Sequence, residues 1–113
     1  MLTKQQLSGL LADLKNRVSV IIEDERVDVI LFGSYARGDY DEGSDVDALI
    51  LTEVPREKLI AKNWEIGDLA SDMLFDYGVV VSPIVENRNY FNRNADTLPF
   101  FRNVMSEGIM INA

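Results

Sequence analysis

GSYARGDYDEGSDVDALIL, Gly33 to Leu51, is the stretch that decides how this chain is read. It holds five acids, one arginine and three glycines, then runs into an apolar segment. The segment VDALILT, Val46 to Thr52, has the length and composition of a buried strand. Side chains two apart on a strand point to one side, about 6.6 Å apart along the backbone. Asp45 and Asp47 therefore aim together, while Val46 and Ala48 face a core. Two carboxylates roughly 5 Å apart repel by about 3 kcal/mol at an effective dielectric near 20. A divalent cation between them reverses that sign, and two such ions could hold both oxygens of an in-line phosphoryl displacement.

Upstream, VDVILFG, Val27 to Gly33, is short and β-branched and reads as another buried strand. It ends in Gly33-Ser34, followed by a short helical turn, Tyr35-Ala36-Arg37. Gly33 lets a phosphate approach the backbone. The amides around Ser34 open a helix and the Ser34 hydroxyl adds a donor, so an anion is favoured there. Arg37, one turn on, offers a fork of N–H groups, although Asp39 or Asp41 could claim it. One stretch supplies anion donors and the next supplies metal ligands. A metal-bound nucleoside triphosphate needs both.

The rest of the chain frames these strands. Thr3 and Gln6 are spaced as a capping box, and Leu7, Leu10, Leu11, Leu14 and Val18 recur at helical intervals, which predicts a helix from Lys4 to Glu23. Pro55 opens a second long helix ending at Gly78, lined by Leu59, Ile60, Leu69, Ala70, Met73, Leu74 and Tyr77, with Trp64 packed near it. VVVSPIV, Val79 to Val85, is a third strand, placed at an edge or bulged because Pro83 has no N–H to donate. ENRNYFNRNAD reads as irregular, with its arginines solvated. Thr97 is placed to cap a short helix with Phe100, Phe101, Val104 and Met105 inward, stopped by Gly108. IMI adds a last short strand. The fold class is α/β, a small mixed β-sheet flanked by helices in the order α-β-β-α-β-α, and residues 1–113 read as one domain.

Composition narrows the chemistry. Histidine and cysteine are both absent, so there is no thiolate nucleophile, no disulfide and no imidazole base. Any metal would be held by oxygen, which selects Mg²⁺, Mn²⁺ or Ca²⁺. The net charge of −8 disfavours a free-standing nucleic-acid binder and suits a basic partner or a nucleotide arriving with its own cations. Glu65, Asp68, Asp72 and Asp76 lie near one helix face, a solvated surface or a dock for a basic protein. No apolar run reaches the roughly 20 residues of a membrane helix and no signal-peptide pattern opens the chain, so the expected location is the cytoplasm.

Gly33-Ser34, ten intervening residues, then Asp45-Val46-Asp47 resembles the signature of the minimal nucleotidyltransferases, the smallest members of the DNA polymerase beta superfamily. The longer Gly-Ser-Tyr-Ala-Arg-Gly run before Ser-Asp-Val-Asp matches their pattern, and the order of elements extends the likeness over most of the chain. The resemblance implies that Gly33 and Ser34, with Arg37, hold the triphosphate of ATP. It also implies that Asp45 and Asp47 bind the catalytic Mg²⁺ or Mn²⁺. It implies transfer of AMP to an acceptor hydroxyl, with a small helical HEPN protein as partner and its tyrosine as acceptor, in a toxin–antitoxin pair. The alternative is a regulatory subunit that works by contact. Transfer to a small molecule such as an aminoglycoside is a weaker option, and the sequence leaves a homo-oligomer open. The family's third carboxylate would stand where this chain has Ser82. Glu86 and Asp76 are the nearest acids that could stand in.

Overall fold

The computed structural model describes residues 2–111. Helix α1 covers Lys4–Ile22, and its start is the reciprocal box the sequence predicts: the Thr3 hydroxyl accepts the Gln6 N–H while the Gln6 side chain accepts the Thr3 N–H. Strand β1 is Asp28–Phe32, helix α2 is Ser34–Arg37 and strand β2 is Val46–Thr52. Helices α3, Arg56–Ile60, and α4, Asn63–Tyr77, lead to strand β3, Val81–Asn87. Helices α5, Arg88–Asn94, and α6, Pro99–Glu107, precede strand β4, Ile109–Ile111.

The four strands form one mixed sheet in the order β3-β2-β1-β4. β2 runs antiparallel to β1 and parallel to β3, and β4 runs antiparallel to β1. β3 is an edge strand, so Pro83 sits where its missing N–H costs no ladder bond, and the register with β2 is unbroken. Because side chains alternate along a strand, the sheet has two faces to cover. Val29, Leu31, Val46, Ala48 and Ile50 meet Leu10, Leu14 and Val18 of α1 and Leu69 and Met73 of α4. Ile30, Leu49 and Leu51 meet Phe91 of α5 and Phe101 and Val104 of α6. Asp47 shares the second face with Leu49, at the end of the layer where α6 finishes.

Several expectations are corrected. The long second helix is two: Lys62, at φ −99° and ψ 1°, leaves helical geometry between α3 and α4, and no proline or glycine marks the break. Trp64 is 86% exposed and packs in neither core. The segment expected to be irregular is largely α5, capped by the Asn87 side chain accepting the Tyr90 N–H at 3.0 Å and anchored by the buried Phe91. Arg88 is no solvated loop residue, since it binds Asp28, Glu53 and the Leu51 carbonyl. Finally, α6 is capped at Leu98, not Thr97, because Pro99 takes the first helical position. Of its four expected inward residues, Phe101 and Val104 are buried, while Phe100 and Met105 are exposed. Among the described residues no helix is long and apolar enough to cross a membrane.

Candidate active site

Antiparallel pairing places the end of β1 beside the start of β2, with Phe32 opposite Asp47. Parallel pairing places the start of β3 on the other side, with Ser82 opposite Asp47. Gly33, just past β1, is buried at φ +76° and ψ −157°, a conformation closed to residues with a Cβ. A Cβ there would overlap the Asp47 carboxylate, so the glycine backbone lies directly against the acid. The Gly33 carbonyl accepts the N–H groups of Ala36 and Arg37 at 3.1 and 3.0 Å, and this starts α2. Gly38, at φ +87°, closes α2 by donating its N–H to the Ser34 carbonyl. Tyr35 is thereby buried, and it stacks on Tyr40 with ring centroids 4.3 Å apart.

The five acids of the stretch divide by role. Asp39 accepts from Arg37 Nε at 3.2 Å. Asp41 builds the turn: its carboxylate accepts the Gly43 N–H at 2.9 Å and its carbonyl the Ser44 N–H. Glu42 is exposed. Asp45 lies exposed just before β2 and Asp47 lies half-buried inside it, so the alternation the sequence predicts brings both to the Gly33 end of the sheet. Burial pushes the Asp47 carboxyl above its ordinary value. The charge of Asp45 pushes it further, Arg37 pulls it back, and Glu107 raises it again.

Glu107 is the residue the sequence reading missed. It ends α6, and its Oε1 accepts the Gly33 N–H at 3.0 Å. Both its oxygens also accept from Arg37 Nη1, at 3.3 and 3.2 Å. Glu107 first and Asp39 second raise the Arg37 pKa. Gly108 fixes this arrangement, since a Cβ on it would overlap the Val104 carbonyl and Ile30. The available signal was an acid in the last turn of a helix, where the dipole disfavours it unless something else compensates. The two stand-ins considered for the third carboxylate are elsewhere. Glu86 is opposite Leu51, at the far end of β2, and binds Arg56 Nε at 3.1 Å. Asp76 binds Arg17 Nη2 of α1 at 2.9 Å. Ser82 lies in register with Asp47.

Among the described residues no three Asp, Glu, His or Cys side chains form a cage for a metal. Asp45 and Asp47 offer oxygen donors alone, and the raised Asp47 carboxyl carries charge that a cation would relieve. Magnesium is commonly held by one or two carboxylates and completed by substrate phosphates and water. The donor set fits such an ion arriving with a polyphosphate.

The sheet is mixed, has helices on both faces and carries a glycine bend laid against a strand-borne aspartate. Residues 8–102 match the profile of the Nucleotidyltransferase domain, and the chain belongs to that family. Two proteins of Methanocaldococcus jannaschii are similar to it. "Putative protein adenylyltransferase MJ0604" is 46% identical over 80 residues, covering 71% of this chain and 72% of that protein. "Putative protein adenylyltransferase MJ0141" is 46% identical over 81 residues, covering 71% and 79%. One chain of a crystal structure of a toxin–antitoxin with AMP-PNP shares the fold, with a TM-score of 0.52 at 18% identity over 88% of this chain and 73% of that one.

Proposed function

We propose that residues 1–113 act as one minimal nucleotidyltransferase domain that moves AMP from ATP to an acceptor hydroxyl, with release of pyrophosphate. The observation that carries this reading is the contact of the Gly33 backbone with the Asp47 carboxylate. Gly33, Ser34 and Arg37 bind and orient the triphosphate. Asp45 and Asp47 provide the oxygens for Mg²⁺ or Mn²⁺. Bound there, the cation would polarise the α-phosphorus and lower the pKa of the acceptor hydroxyl, chemistry that needs no histidine. The acceptor hydroxyl gives its proton to solvent water, and its oxygen bonds to the α-phosphorus as the bond to the β-phosphate oxygen breaks and pyrophosphate leaves.

The acceptor in this reading is a tyrosine on a helical HEPN-type toxin, which the protein silences as antitoxin. The naming of both relatives as protein adenylyltransferases and the toxin–antitoxin neighbour support a protein acceptor in a toxin–antitoxin pair, while the tyrosine and the HEPN partner come from the family resemblance. The protein would be incubated with Mg²⁺, α-labelled ATP and a HEPN partner. We expect label on the partner's tyrosine with wild type and none with Asp45→Asn. An unlabelled partner, or equal label with both proteins, ends this reading. Ser82 opposite Asp47 favours a second reading, an impaired subunit that neutralises its partner by contact alone. In that case Asp45→Asn and Asp47→Asn leave neutralisation intact.

A further inference from the structure

The donors assigned to the nucleotide already hold an anion. The Glu107 carboxylate takes the Gly33 N–H at 3.0 Å and faces Arg37 Nη1 with both oxygens, at 3.3 and 3.2 Å. It therefore covers the backbone donor and one arm of the guanidinium fork at once. A phosphate oxygen cannot take the single Gly33 hydrogen at normal length while Glu107 keeps it. The Glu107 side chain is 26% exposed, so it has room to turn outward. Its backbone does not share that freedom, because Gly108 is clasped between Val104 and Ile30. Arg37 has a second contact, Nε to Asp39 at 3.2 Å, that does not involve Glu107. Nor does Glu107 belong to the part of the chain that matches the family profile, which ends at residue 102.

We propose that Glu107 is a specificity-determining residue for the nucleotide: its carboxylate holds the Gly33 amide and the Arg37 guanidinium in the free protein, and a polyphosphate must displace it to bind. The inference rests on the proposed function, since it takes Gly33 and Arg37 as phosphate donors. A ligand with several negative charges near Arg37 outbids one carboxylate, whereas a nucleoside without phosphate gains nothing from the exchange. Glu107 thus raises the threshold for binding and makes it depend on phosphate charge.

Calorimetric titration of wild type, Glu107→Gln and Glu107→Ala with ATP and with adenosine, in Mg²⁺ and again in EDTA, tests this. Glu107→Gln keeps the side-chain volume and removes the charge. Glu107→Ala removes the acceptor as well. Thermal unfolding of each variant checks that it is folded. We expect both variants to bind ATP about tenfold more tightly than wild type, the scale of one charge-assisted hydrogen bond, with adenosine unaffected. The Gly33 amide resonance of wild type should move on adding ATP, and in Glu107→Ala it should start displaced. ATP affinity equal to or weaker than wild type in both variants overturns the proposal alone, because Glu107 would then merely support Arg37. No ATP binding by any of the three proteins overturns the proposed function together with it.

Discussion

At residue scale, Gly33 answers to two constraints at once. Its φ of +76° with ψ of −157° is reserved for glycine, and its α-carbon faces the Asp47 carboxylate with no room for a methyl group. Relaxing one constraint does not relax the other, because Asp47 is held by β1 on one side and β3 on the other. Gly33→Ala should therefore cost about 1–3 kcal/mol of stability from backbone strain alone. It should also abolish ATP binding, because the bend and the acid can no longer touch. Urea unfolding and calorimetry read the two effects separately, and an alanine variant as stable as wild type would contradict this account. The pattern that singles out Gly33, Ser34, Asp45 and Asp47 is visible without coordinates, since it consists of local turn chemistry and strand alternation. Glu107 is invisible to that logic, being 74 residues from the amide it binds.

At element scale, helices are fixed by their ends as much as by their faces. α1 is the legible case, with a capping box at one end and Leu10, Leu11, Leu14, Val18 and Ile22 buried along one side. Its other end is strained: Glu23 sits at φ +56° and ψ +45°, a left-handed position that helices usually give to glycine. The Glu23 side chain is exposed, so replacing it loses no core contact. Glu23→Gly should raise stability by about 1 kcal/mol, the scale of the left-handed penalty for a residue with a Cβ, read as a higher melting temperature. An unchanged or lower melting temperature would show that the strain is absent. The helices read poorly from the sequence have weak apolar periodicity. α5 buries Phe91 as its one fully apolar anchor, and the break at Lys62 interrupts a run of good helix formers. Packing on the rest of the fold, more than periodicity, stabilises such segments.

At the scale of the whole molecule, carboxylates tie distant elements together. Asp13 of α1 accepts from Tyr77 Oη of α4 at 2.7 Å and from Arg17 at 3.0 Å. Burial pushes its carboxyl up, but these hydrogen bonds outweigh it and hold it below the ordinary value. Asp24 is likewise pushed up by burial and brought lower by Thr52, by the Arg26 and Glu53 amides and by Arg88. A carboxyl lowered in the folded state adds stability that is complete above its unfolded pKa. That stability is lost as the pH falls through the ordinary carboxylate range towards the lowered native value. Asp47, raised in the folded state, acts in the opposite sense and gains from acid. The melting temperature should therefore fall on acidification through the carboxylate range. The double variant Asp13→Asn, Asp24→Asn should show a shallower fall, and an equal slope in both proteins would refute the linkage.

Local chemistry determined much of this protein. Gly-Ser with its short helix, the two alternating aspartates, the three longer strands and α1 follow from turn geometry, side-chain period and capping, each of which acts within a few residues. The nucleotidyltransferase class was legible for the same reason, because the Gly-Ser bend and the acidic strand lie within one stretch of the chain. Tertiary structure decided the rest. It set Ser82 opposite Asp47, sent Glu86 to Arg56 at the far end of β2 and paired Asp76 with Arg17 of α1. It also carried Glu107 from the end of α6 onto Gly33 and Arg37. Those outcomes depend on sheet order and on which face each helix covers, and the free energy that selects them comes from burying both faces of the sheet, a sum over the whole chain that no short window contains.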